Sequence, residues 1–140
     1  MIQTLKELSE ADFAYRAEKY PEFAKTNAAF YKKYSDKTAN KLTAAIKRWF
    51  ELSGGMASRT NVQGQYDPRT KKFRHSGSTK GQADLNCVYG GRSIQVEVKI
   101  GKDRQNLDQK LFKERVENSG GIYILAKSWE DFIQQMSRVV

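Results

Sequence analysis

The sequence predicts an α/β fold in which a mixed central β-sheet is flanked by helices. Three observations carry that prediction. Residues 83–99 alternate apolar and polar side chains on either side of Gly90-Gly91, the pattern of a β-hairpin. Leu42, Ala45, Ile46 and Trp49 recur at i, i+3, i+4 and i+7, the stripe of an amphipathic helix over residues 38–52. Ile122-Tyr123-Ile124-Leu125-Ala126 is a short apolar strand that follows a further helical pattern.

The elements follow in order. Residues 1–36 read as an N-terminal extension of two helices. Ser9-Glu10-Ala11-Asp12 starts the first, with Phe13, Ala17 and Tyr20 along one face, and Pro21 ends it. The second carries Phe23, Phe30, Tyr31 and Tyr34, whose helical spacing favours packing over base stacking. Such an appendage also suits a homodimer interface. Residues 37–140 make the main domain. Its first helix stops at Gly54-Gly55, and residues 56–63 suit a strand with Arg59 and Asn61 on one face. Residues 64–80 lack hydrophobic periodicity and abound in turn formers, so a loop or one short hairpin is expected. After Lys99 comes a helix with Leu107, Leu111, Phe112 and Val116 inward, stopped by Gly120-Gly121. Beyond the strand at 122–126, Ser128 caps a last helix ending near Met136.

Composition narrows the function. No run approaches the ~20 apolar residues of a membrane span, and the opening residues do not begin a signal peptide. The single Cys87 cannot form an internal disulfide, so a reducing cytoplasm is expected, bacterial or that of a cell hosting a virus. The net charge of +9 is uneven: residues 37–82 hold ten basic and two acidic side chains, whereas the flanking stretches are nearly balanced. A basic block beside an acidic site suits a polyanion groove. Arg69, Lys71, Lys72, Arg74 and Lys80 are its candidate phosphate contacts on a loop. His75, in the same loop, is read as an ordinary exposed histidine.

Counting outward from Gly90-Gly91 pairs Tyr89 with Arg92 and Asp84 with Glu97. The same register places Leu85 with Val96 and Cys87 with Ile94 on the apolar face, and Asn86 with Gln95 beside the carboxylates. A one-residue slip would mix the faces. Two acids directly opposite destabilise a sheet unless something compensates, and a divalent cation does so. Lys99 shares their face, roughly 7 Å along. Carboxylate oxygens suit Mg²⁺ or Mn²⁺, which activates water toward a phosphodiester, while an ammonium group neutralises developing charge. Taken alone, a Glu-x-Lys strand is more commonly a solvated face.

Asp84 on one strand and Glu97-x-Lys99 on the next resemble the PD-(D/E)XK nuclease superfamily. With Gly81-Gln82-Ala83-Asp84-Leu85, Gln109 and Gly120-Gly121-Ile122-Tyr123, the chain is similar to its VRR-NUC branch over roughly residues 38–133. The resemblance implies an αβββαβ restriction-endonuclease-like core and metal binding by Asp84, Glu97 and the Val98 carbonyl. It implies Lys99 as catalytic lysine, Gln109 steadying the site, and Arg59 and Asn61 approaching substrate. The expected activity is a metal-dependent endonuclease on branched or structured DNA. One departure stands out: the first core helix lacks the glutamate common in that group, leaving Asn40 as a neutral stand-in and Glu51 too near the far end. An inactive nucleic-acid-binding protein of the same fold is the alternative.

Overall fold

The computed structural model describes residues 1–60, 65–74 and 79–139. Thr4 caps the first helix, α1 (Leu5–Lys19), its side chain accepting from the Glu7 amide. The helix therefore begins one turn before the expected Ser9 start. Ser9 lies inside it, its hydroxyl donating to the Leu5 carbonyl and accepting from the Tyr34 amide. The inward side chains are Leu8, Ser9 and Asp12, not the aromatic stripe; Tyr20 is half exposed. Pro21 opens a six-residue helix, α2 (Pro21–Thr26), which buries no side chain, and a 3-10 turn follows at Ala28–Phe30. Phe23 stays exposed because α2 is too short to lay a face on the core, whereas Phe13 and Phe30 meet edge to face.

Helix α3 (Ala39–Leu52) is capped by the Thr38 side chain and buries the predicted stripe together with Thr43 and Phe50. Strand β1 (Met56–Arg59) returns along it. A separate antiparallel hairpin, β2 (Gln65–Asp67) and β3 (Lys72–Arg74), resolves the loop-or-hairpin question for the described part of residues 64–80. Then come β4 (Leu85–Tyr89), β5 (Arg92–Val98), α4 (Leu107–Asn118), β6 (Ile122–Ala126) and α5 (Trp129–Ser137), the last capped by Ser128. The main sheet runs β1-β4-β5-β6, antiparallel except for the β5–β6 pair. This is a mixed α/β architecture.

One sheet face carries Leu85, Cys87, Ile94, Val96 and Ile124, packed with α3 and α5 in the core. Trp49, Phe50 and Phe132 meet there with ring centroids 5.1–5.8 Å apart. Each fully buried side chain of this kind stabilises the fold by roughly 2–3 kcal/mol. Burial pushes the Cys87 thiol up to about 12, so it behaves as a small apolar group. The other face receives α4 through the half-buried Phe112, which meets Tyr123, Lys113, whose ammonium lies over the same ring, and Val116. Leu107 and Leu111, expected inward, are 70% and 48% exposed, because this helix touches the sheet along one narrow stripe.

The extension is tied to the rest. Leu8 belongs to the core, the Trp49 indole N–H donates to the Ile2 carbonyl, and the Trp129 indole N–H donates to that of Gln3. Asp12, 1% exposed, accepts from Arg16 of its own helix and from Arg48 of α3 at 2.9 and 2.7 Å. No helix among the described residues is long and apolar enough to cross a membrane.

Candidate active site

The β4–β5 ladder has the predicted register, from Leu85 opposite Val96 to Tyr89 opposite Arg92. Gly90 and Gly91 both have positive φ, 58° and 76°, the requirement of a tight two-residue turn. Just past the ladder, Asp84 Oδ2 accepts from the Val98 amide at 2.8 Å, and the Asp84 carbonyl accepts from the Thr60 amide at 2.9 Å. Both bonds fix Asp84 beside Glu97. Val98 thus meets the pair through its N–H.

Glu97 is 2% exposed, and its Oε2 is buried without a hydrogen-bond partner. Burial first, then the Asp84 charge and a hydrogen bond with Asp84, push the Glu97 carboxyl up to about 8, while Lys99 pulls the other way. Glu97 therefore holds its proton well above the ordinary carboxylate range. Lys99 Nζ stands 3.8 Å from Glu97 Oε1, close enough for an ion pair and too far for a hydrogen bond. Asp84, Glu97 and Lys99 are brought together as one constellation.

Tyr123 was given no role by its sequence position, yet the parallel register sets it beside Gln95 on the acidic face. Its hydroxyl accepts from Gln105 at 2.8 Å. Burial, then the charge of Glu97, raise the phenol above its ordinary value, so it stays protonated next to the acids. Gln95 donates to Asn86 at 2.8 Å, as the register requires, and leaves its own Oε1 buried and unpartnered.

Gln109 belongs to a capping box: its Oε1 accepts from the Asn106 amide, and its own amide donates to Asn106 Oδ1. That oxygen orders the start of α4. Gly81 presses against the same turn; with φ +74, a Cβ there would lie 2.2 Å from the Asp108 carbonyl oxygen. The glycine lead-in to Asp84 is thereby seated on α4.

The other predicted residues lie elsewhere. Arg59 pairs with Leu85 in the sheet, which puts it on the α3 side, where it donates to Asn40 Oδ1 at 3.1 Å. Arg69, Lys71 and Lys72 ride on the β2–β3 hairpin. Arg69 is 3.9 Å from Asp67, Lys71 takes a positive φ of 56°, and Lys72 pairs with Asp67 in the ladder. Arg74 pairs with Gln65 through its backbone, and Lys80 is exposed just before Gly81. Asn61 and His75 lie outside the described residues. Glu51 pairs with Lys47 at 3.2 Å near the end of α3, and the first turn of that helix has no acid. Among the described residues, no three His, Cys, Asp or Glu side chains gather into a metal-holding group.

The acidic pair makes stability depend on pH. The Glu97 carboxyl has a folded pKa above its unfolded value, so its contribution is fully present below about 4.5 and is lost as pH rises through about 8. Without divalent ions, unfolding free energy is expected to fall across that window at up to ~1.4 kcal/mol per pH unit. Glu97→Gln should remove the slope, as urea titrations at several pH values would reveal. An unchanged slope in the variant would assign it to other groups.

No protein-family model matches the chain, and no curated protein sequence matches it either.

Proposed function

We propose that this chain is a metal-dependent nuclease hydrolysing phosphodiester bonds, an endonuclease acting on branched or structured DNA. On this reading α3, β1, β4, β5, α4 and β6 form an αβββαβ core of restriction-endonuclease type, with the β2–β3 hairpin inserted. The supporting observation is the buried Glu97 with the partly exposed Asp84 and Lys99 beside it. A buried carboxylate oxygen without a partner costs free energy, and a hard divalent cation relieves it. The donor set therefore fits Mg²⁺ or Mn²⁺.

Asp84 and Glu97 would hold the ion, with the Val98 carbonyl named by family resemblance alone. When bound, it polarises the phosphodiester and makes water a better nucleophile. The protein's own groups do the rest. Glu97 would give up its own proton to serve as a ligand, and the Val98 amide keeps Asp84 in place. Lys99 Nζ orients the attacking water and neutralises charge building on the phosphate oxygens. Tyr123, held by Gln105, keeps the far wall of the site neutral. Water adds to phosphorus and the sugar oxygen departs. One acidic pair cuts one strand, so symmetric paired incisions need two copies of the chain.

Cleavage of labelled single-stranded, duplex, flap, splayed-arm and four-way-junction DNA, with Mg²⁺, Mn²⁺ or chelator, tests the proposal. Metal-dependent incision, strongest on a branched form, is expected. Binding without incision on every form would replace it with the second reading, an inactive nucleic-acid-binding protein. That reading draws on the acid-free first turn of α3 and on the use of Gln109 as a cap.

A further inference from the structure

A cleft of about 670 Å³ opens between α1, residues 31–37 and the first turn of α3. Its lining includes Lys6, Lys33, Lys37 and Lys41, and two tyrosines, Tyr31 and Tyr34. None of the four lysines makes an ion pair among the described residues. The acid in the lining, Asp36, is engaged elsewhere, accepting from the Trp129 amide at the start of α5. Unbalanced positive charge on a concave surface recruits an anion.

The aromatic walls say which kind. Tyr31 is 43% exposed and braced by Phe13, with ring centroids 5.7 Å apart. Tyr34 is anchored through its amide to Ser9 Oγ, and its phenol is half-buried near the Asp12 charge. A fixed ring open to solvent beside several ammonium groups is the pairing that takes a base and its phosphates. A duplex keeps its bases stacked inside and offers no open base face to a tyrosine ring. The volume, within the ~300–1,000 Å³ of small-molecule pockets, leaves room for an unpaired nucleotide unit.

Topology then places the cleft relative to the acidic pair. Helix α3 and β1 run antiparallel through a tight turn, so the start of α3 meets the end of β1, as the Arg59–Asn40 bond records. The next residue, Thr60, bonds Asp84, and Lys41 follows Asn40. Strand β6 runs parallel to β5 and leads into the start of α5, where the Trp129 amide donates to Asp36. Cleft and acids share one end of the sheet.

We propose that this cleft binds a single-stranded segment of nucleic acid leaving the active site over Arg59 and Asn40, with Tyr31 stacking an unpaired base and the lysines taking its phosphates. The polymer's identity rests on the nuclease reading, and the placement of the cleft does not. The preferred substrate is then a duplex or junction with a single-stranded extension.

The test is fluorescence anisotropy of the full-length protein with labelled oligo(dT) and with a blunt duplex, in chelator so that nothing is cut. Tyr31→Ala should weaken oligo(dT) binding by about 5- to 100-fold and leave duplex binding within about twofold, with Tyr31→Phe restoring it. Replacing Lys33 and Lys37 together by alanine should lower the salt-dependence slope on oligo(dT) by about 1.4. Equal loss on both DNAs, or none on either, overturns the proposal. So does displacement of oligo(dT) by poly-glutamate from wild type with the Tyr31→Ala protein binding DNA normally, which would mark an acidic-peptide site. Because binding is read without cleavage, the two proposals fail separately: a protein that cuts nothing yet shows the Tyr31 effect keeps the cleft, and one that cuts without that effect loses it.

Discussion

A Lys99→Ala protein is expected to lose phosphodiester cleavage by about 10²–10³-fold while keeping its affinity for DNA. Lys99 is outside the hydrophobic core, its side chain 16% exposed and its ammonium 3.8 Å from Glu97 Oε1. Removing it leaves both carboxylates in place and the bond from the Val98 amide to Asp84 intact. What disappears is a positive charge positioned where the transition state accumulates negative charge, so turnover suffers more than binding. Asp84→Ala should cost as much, and additionally release the Val98 amide from its partner. Single-turnover cleavage beside anisotropy in chelator separates the two effects. Full cleavage by both variants would remove the constellation from the chemistry altogether.

The largest stability loss is expected from Asp12→Ala, about 3–5 kcal/mol. Asp12 is 1% exposed and receives Arg16 and Arg48, each about one-fifth exposed. Without it, two guanidinium groups face each other across α1 and α3 with no counter-charge. At about 3 °C per kcal/mol for a chain of this size, the melting temperature should drop by roughly 10 °C. Lys47→Ala is the control, since the exposed Lys47–Glu51 pair is worth at most ~1 kcal/mol. A melting temperature unchanged by Asp12→Ala would mean that the arginines repair themselves with water, and that the α1–α3 junction rests on Leu8 and its neighbours.

Much of the acidic site was legible because period-two alternation leaves little freedom. Leu85, Cys87, Ile94 and Val96 admit one register, and that register puts Asp84 next to Glu97 without any knowledge of the tertiary fold. The stripe on α3 and the Ser128 cap were legible for the same local reason. Less visible was everything decided across the chain. Leu107 and Leu111 have the right spacing for burial, but whether a helix meets a sheet broadly or along one line depends on the neighbouring surface. Tyr123 becomes part of the site only through the parallel β5–β6 pairing, which leaves no periodic signature. The role of Gln109 was ambiguous in principle: Asn106-x-x-Gln109 is itself a capping signature, and the backbone claims that oxygen. Arg59 obeys alternation, yet alternation alone did not say which face of β1 looked toward α3.

Both tryptophans of the chain, Trp49 and Trp129, send their indole N–H groups to the carbonyls of the first residues, Ile2 and Gln3. They sit on different helices, α3 and α5, far apart in the sequence. Each indole therefore senses the same short stretch of backbone, and the protein's intrinsic fluorescence is a built-in optical reporter on the seating of its own leading residues.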